Sequence, residues 1–268
     1  MKVLCSRYLK LVFNDKQRLW LLLLQAPLLG FLISLVANGD QYETQSATKS
    51  LLFALSCSAF WIGILNAIQE ICKERTILKR EYMTGLSLGS YVMSKVLVLG
   101  LMCLLQSLMV TGVFAITVGL PEEGLILPAF VEMLITMFLS SVAAACMGLF
   151  VSSLFTNADR AMTVAPILLM PQILFSGIIF ELKGASELVS YLTVSRWSME
   201  GLGTTANLND LPNIIEFKGK DYKLENVQDF FEFEPGHMIA VWGILIVFIV
   251  GFLVLSNVVL KKVGEDRS

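Results

Sequence analysis

The hydrophobic and polar positions of this chain segregate into long blocks. Apolar runs of roughly twenty residues, the length that crosses about 30 Å of hydrocarbon, are separated by shorter polar stretches. In segment 2–18, Val3, Leu4, Leu11 and Val12 are flanked by Arg7, Lys10, Lys16 and Arg18, which predicts an amphipathic helix in the membrane interface. The first span, Leu19–Ala37, contains Pro27, and a polar turn, Asn38–Lys49, leads to the second, Leu51–Ile68. The third span is Tyr91–Val118, closed by the turn Gly119–Gly124, and the fourth is Leu125–Phe155. After the link Thr156–Arg160 comes the fifth span, Ala161–Phe180, broken by Pro166 and Pro171. The sixth, His237–Leu260, precedes a short tail, 261–268. The long basic lead and the lack of an Ala-x-Ala site after the first apolar run argue against a cleaved signal peptide.

Two polar stretches interrupt this pattern with structure of their own. Glu70–Gly85, between spans two and three, is densely charged, yet Ile71, Leu78 and Tyr82 recur at spacings that share one helix face, and Gly85 stands where a C-cap is expected. This predicts a short amphipathic helix over about 70–85. In the long region 181–236, the part Glu181–Leu202 keeps an apolar pattern through Leu188, Val189, Leu192, Val194, Trp197 and Met199 but is too short and too polar to span. It suits a re-entrant or interfacial helix pair packed on protein. The part Asn207–Glu234 is acidic and polar and reads as a small external cap.

Composition agrees with the pattern. Of 268 residues, 56% are hydrophobic and 16% charged, too few charges to coat a soluble globule of this size, so the chain is an integral membrane protein. With the N-terminus inside, the inner segments hold 14 of the 20 basic residues, from Lys2 to Arg18, Lys73 to Lys95, Arg160, and Lys261 to Arg267. Lys49, Lys183, Arg196, Lys218, Lys220 and Lys223 fall outside. That asymmetry puts both termini and the 70–85 helix in the cytoplasm. The absence of any Asn-x-Ser/Thr acceptor fits a bacterial cell membrane. The five cysteines show no paired spacing for zinc or redox chemistry and read as small buried hydrophobes.

Reactive chemistry is sparse. No Gly-x-x-x-x-Gly-Lys-Ser/Thr loop is present to cradle ATP phosphates. The single histidine, His237, stands at a membrane boundary, where it reads as an interface anchor; no His-Glu-x-x-His metal site or serine triad can be built from it. Glu132 is the one carboxylate placed within a span and a candidate for a transport role, although a position near the outer surface makes it inexpensive.

The order of these parts resembles the membrane domain of type-2 ABC exporters, above all the G-subfamily of multidrug and sterol exporters and its bacterial relatives. Three stretches carry the likeness: Glu74-Arg-Thr-Ile-Leu-Lys-Arg-Glu81 with Tyr91-Val-Met-Ser-Lys95, Phe175-Ser-Gly-Ile-Ile179, and Ser195-Arg-Trp-Ser-Met-Glu-Gly201. The resemblance implies an all-α integral membrane fold: an N-terminal interfacial helix (1–18), a six-helix permease (19–260) with a cytoplasmic coupling helix, and a re-entrant external helix pair. It implies that Glu70, Glu74, Arg75, Arg80 and Glu81 couple the domain to an ABC ATPase, fused or separate. It implies a second permease copy, as homodimer or heterodimer, in the lipid bilayer, with no nucleic acid. Leu55, Ala59, Ile62, Pro166, Met170 and Ile173 would line a substrate cavity, and Ile178 and Ile179 would close it from outside. This chain would itself need no cofactor and catalyse nothing, with ATP and Mg on the partner ATPase. The function implied is export of a hydrophobic or amphipathic substrate by alternating access. Two departures are visible: the external region lacks the cysteines that many eukaryotic members pair as disulfides, and the ATPase motifs are not in this chain. The alternatives are a non-catalytic membrane scaffold or immunity protein, which would not require the coupling stretch, and an intramembrane enzyme, for which only Glu132 offers a group.

Overall fold

The computed structural model describes residues 2–37, 39, 41–178, 180, 184–217, 220–224 and 229–265. Ten α-helices account for most of them: α1 (Lys2–Asn14), α2 (Lys16–Val36), α3 (Gln45–Ala67), α4 (Arg75–Met83), α5 (Leu88–Thr117), α6 (Ala129–Leu154), α7 (Ala158–Leu174), α8 (Ala185–Ser190), α9 (Val194–Thr205) and α10 (Pro235–Glu265). The fold is that of an all-α integral membrane protein. Five segments, containing α2, α3, α5, α6 and α10, are long and apolar enough to cross a membrane. The remaining predicted span corresponds to α7, whose 17 residues sit at the short end of what reaches across hydrocarbon.

Local chemistry sets several boundaries differently from the sequence pattern. Segment 2–18 is not one helix: Asp15 ends α1 and caps α2, its side chain accepting the Arg18 N–H at 3.2 Å, so Lys16 to Arg18 start the first span. The fourth span begins at Ala129 because Pro128 precedes it as the N-cap. The fifth was expected to run to Phe180 but ends at Leu174. Pro166 and Pro171 withdraw N–H groups from its ladder, and Gly177 follows with φ +79°. In the region expected to hold a helix pair, α8 and α9 are present. The polar stretch after α9 includes a small hairpin, β1 (Asn213–Phe217) antiparallel to β2 (Lys220–Leu224), pairing Asn213 with Leu224 and Phe217 with Lys220.

At the centre of the bundle, α3 lies against α6. Water contributes no hydrophobic drive between helices in lipid, so association depends on close packing and polar contacts. Gly63 supplies the first: a Cβ there would lie 2.0 Å from the Ser141 carbonyl oxygen, so the backbones meet without an intervening side chain. Gly148 repeats this one layer away, against Ala67 and the Ile64 carbonyl. Polar contacts supply the second. The Asn66 amide donates to Gln106 Oε1 at 2.5 Å, and Gln106 donates to the Leu22 carbonyl at 2.6 Å, tying α3, α5 and α2 together. In α2 and α10 the outward positions are exposed and apolar, among them Trp20, Leu24, Leu28 and Phe31, and Ile239, Val247 and Val254, as lipid contact requires.

Gly63→Ala is expected to lower the stability of the detergent-solubilised protein by about 1–3 kcal/mol through overpacking. Gly100→Ala, whose new Cβ meets nothing within 4 Å, serves as the control and should not be destabilised. Equal thermal midpoints for the two variants would show that the α3–α6 approach is not limiting.

Candidate functional site

The charged stretch folds as a turn, a short 3₁₀ segment (Cys72–Glu74) and α4. Ile71 and Leu78 are buried, and Tyr82 packs beside them on the cluster formed by Tyr8, Tyr91 and Leu149. The helix ends in a Schellman motif. Gly85 has φ +97°, its N–H meets the Tyr82 carbonyl at 3.0 Å, and the Leu86 N–H meets the Glu81 carbonyl at 3.1 Å. The helix stops where Gly85 was expected to stop it, with Thr84 as the C-cap and Gly85 the left-handed residue just beyond.

Most of the charges on this stretch point inward. Glu70, only 3% exposed, accepts from Tyr8 Oη and Arg18 Nη2 and lies 3.4 Å from Lys95 Nζ. Lys95, 2% exposed, pairs also with Glu74 at 2.8 Å, and Tyr91 Oη donates to Glu74 at 2.9 Å. The ammonium of Lys95 sits 3.7 Å from the centroid of the Tyr8 ring. Two buried or half-buried carboxylates thus face two cations, which is the condition under which charge can be kept from water. Burial by itself would raise the Glu70 carboxyl; Lys95 and Arg18 outweigh it and hold the group below its ordinary value. The Tyr8 hydroxyl is pushed well up, by burial and then by the Glu70 charge. Farther along, Glu81 pairs with Arg7 of α1. Arg75 donates to the carbonyls of Ser153 and Phe155, at 3.1 and 2.8 Å, closing the C-terminal end of α6. Ser152 Oγ accepts the N–H groups of Ile71 and Cys72 at 3.0 and 3.1 Å.

Of the five residues assigned to coupling, then, Glu70, Glu74, Arg75 and Glu81 bind this chain's own α1, α2, α5 and α6. Arg80 is exposed, as are Lys73, Thr76 and Ile77 on the outward side of the stretch. The residues that complete the cluster, Tyr8, Arg18 and Lys95, were not singled out from sequence as site residues. Lys95 carried the one available signal, a cation set within an apolar run.

A second feature is a cavity of about 760 Å³ between α2, α3 and α7, within the size range of ligand pockets. Leu29, Leu32, Ile33 and Val36 come from α2, Ser46, Ser50, Ala54, Cys57 and Trp61 from α3, and Leu169 and Ile173 from α7. Of the six residues expected to line a cavity, only Ile173 does so here. Leu55, Ala59 and Ile62 are fully buried in the core between α3 and its neighbours, on the adjoining face of α3. The most apolar face of a central helix is the one taken up by packing inside the chain, which leaves the mixed face for the cavity. Pro166 and Met170 are exposed on α7, Met170 at 62%. Ile178 is half-buried against the same core cluster, and Ile179 lies outside the described residues.

The C-terminal end of α7 and the N-terminal end of α9 are joined. Gln172 Oε1 accepts the Ser195 N–H at 2.9 Å, Ser195 Oγ donates to the Gln172 carbonyl, and Ser56 Oγ of α3 donates to the Ser195 carbonyl at 3.1 Å. His237 places Nε2 3.2 Å from Glu200, which also faces Arg196, so it links α10 to α9. Glu132 is fully buried, and its Oε1 accepts the N–H groups of Ile126 and Leu127 at 2.5 and 2.8 Å. That is a capping arrangement holding the loop into α6. Among the described residues no cluster of three or more His, Cys, Asp or Glu is placed to hold a metal ion.

Comparison with known proteins places these features in context. The family described as ABC-2 type transporter matches residues 1–205. An ABC transporter ATP-binding/permease protein of Mycobacterium tuberculosis (strain ATCC 25618 / H37Rv) is 27% identical over 221 residues, covering 76% of this chain. The chain spans about a quarter of that relative's length, 25%.

Glu70→Ala would leave Arg18 and Lys95 short of a counter-charge and should destabilise the solubilised protein by about 3–5 kcal/mol, whereas Arg80→Ala should change stability little. The pH dependence carries the same signature. A carboxyl held below its ordinary 4.5 stabilises the fold above that pH, and the contribution is lost as pH falls through the lower folded value. Glu70→Gln should therefore flatten the acid limb of a stability–pH curve below about 4.5. An acid limb as steep as that of the unaltered protein would remove Glu70 from this role.

Proposed function

The chain belongs to the ABC-2 type transporter membrane family, and on that premise we propose that it is the membrane component of an ATP-driven exporter working as a dimer, with α4 as the lever that receives the ATPase stroke. The observation that carries this reading is the bracing of α4. Its N-terminal end is fixed to α6 through Arg75 and to α5 through the N-cap Glu74 and Lys95, and its C-terminal half is fixed to α1 through Glu81 and Arg7. A displacement of α4 is therefore delivered to three elements together, while Lys73, Thr76, Ile77 and Arg80 stay exposed for a partner. An ordinary loop between spans has no need of such fixing. The listing of both ATP-binding and permease functions in the name of the mycobacterial relative supports an ATPase partner, fused or separate. ATP and Mg would be held there.

Alternating access would then consist of rocking α2, α3 and α7 around the 760 Å³ cavity. The exposed apolar side of α7, with Ile167, Met170 and Leu174, is where the second copy would seat. The orientation that makes this work has both termini and α4 in the cytoplasm of a bacterial cell, supported by the distribution of 14 of 20 basic residues on that side.

Two measurements test this. In sealed cells an impermeant maleimide should label Asp210→Cys, on the exposed outer segment, and leave Arg80→Cys unlabelled; labelling of Arg80→Cys would invert the topology. Co-expression should recover an ABC ATPase with the chain. Arg80→Glu should weaken that association by roughly tenfold, equivalent to about 1.4 kcal/mol, with the thermal midpoint unchanged. If no ATPase is recovered with the unaltered chain, the exporter reading fails.

A further inference from the structure

The chemistry of the cavity lining narrows what the transporter can carry. Resting on the reading of this cavity as the transport site, we propose that its ligand is an uncharged amphiphile: a head bearing several hydroxyl groups, such as a sugar, on a single apolar chain. Three observations lead there.

None of the described residues lining the cavity carries a charge. A cationic or anionic head would find no counter-ion among these lining residues, at a cost that a neutral head avoids. The polar side chains present are also committed in a particular sense. Ser50 Oγ donates to the Ser46 carbonyl at 2.9 Å, and Ser58 Oγ donates to the Leu55 carbonyl at 2.6 Å. A serine has one hydroxyl hydrogen and two lone pairs, so each of these two can only accept from a ligand. These two serines ask the ligand for donors, while the Gln41 amide, whose Oε1 accepts the Gly39 N–H, presents its NH2 as a donor; hydroxyl groups meet both demands.

Polar side chains are also concentrated toward one end of the cavity. Gln41, Ser46 and Ser50 lie just before or in the first turns of α3, whereas Cys57 and Trp61 lie farther along it, with Ser58 the one hydroxyl among them. From Ser46 to Trp61 the helix rises about 22 Å. One end thus suits a hydrogen-bonding head and the remainder a chain lying along the helix.

Cys57 reports on occupancy without any transport measurement. The protein is reconstituted in nanodiscs, and the rate of N-ethylmaleimide modification at Cys57 is followed by peptide mass spectrometry, with Cys5 on α1 as the internal reference. Four probes at equal mole fraction are compared: dodecyl β-D-glucoside, dodecyl phosphate, dodecyltrimethylammonium and dodecane. The glucoside should slow Cys57 about tenfold relative to the other three, the worth of one or two hydrogen bonds, and should leave Cys5 unaffected. Ser46→Ala with Ser50→Ala, both at exposed positions, should abolish that difference. Retention of tritiated dodecyl glucoside by immobilised nanodiscs, over empty discs, gives the same comparison independently of the thiol. Equal protection by a charged probe or by dodecane overturns the proposal, as does undiminished glucoside binding by the double variant. ATP turnover with the partner ATPase separates the two readings. Stimulation by a charged probe alone leaves the exporter standing and removes this ligand class. Glucoside binding that never changes ATP turnover supports the site's chemistry and removes its role in transport.

Discussion

A buried carboxylate organises one end of this molecule. Glu70 cannot be ionised inside a membrane-protein core unless cations and donors reach it, and three elements distant in sequence bring them: Tyr8 from α1, Arg18 from α2 and Lys95 from α5. Lys95 in turn needs Glu74. The mutual need fixes the interfacial helix, the first span and the entry to the third against the turn that precedes α4. Such a cluster adds less net stability than its Coulomb attraction implies, because desolvation opposes it. Its effect is to specify one arrangement, since any displacement that separates the partners leaves a charge uncompensated.

That arrangement makes α4 rigidly attached and partly accessible at the same time, the combination a lever needs. The exposed residues offer contact without holding the fold together, and the inward ones hold it without being available. Farther into the membrane the joining principle changes from charge to steric fit. Gly63 and Gly148 let α3 and α6 approach at backbone distance, and the Asn66–Gln106 pair adds a polar clamp to the first span. Motion imposed at α4 would therefore reach a tightly packed α3–α6 pair, and the looser surroundings, α2 and α7 with the cavity between them, are where change can be accommodated. The two prolines of α7 and its tether to α9 through Gln172 leave that helix bendable within its length and anchored at its C-terminal end.

What the sequence determined by itself were properties that depend on periodicity and bulk polarity. These include the membrane class, the approximate place of the apolar spans, the short helix stopping at Gly85 and the order of parts that resembles the exporter family. Each follows from a local rule, such as the length of hydrocarbon to be crossed or the left-handed backbone that glycine tolerates. What the tertiary structure alone decided was the direction each side chain faces. Glu70 and Arg80 belong to one charged stretch, yet one is enclosed by α1, α2 and α5 and the other meets solvent. On α3, the family resemblance assigned Leu55, Ala59 and Ile62 to a cavity, but α6 and its neighbours cover them within this chain, and the cavity between α2, α3 and α7 is lined instead by Ser46, Ser50 and Cys57. A helix wholly surrounded by other helices and lipid has no solvent side to break the symmetry of its pattern. Which face packs and which stays open is fixed by the partners that arrive from elsewhere in the chain.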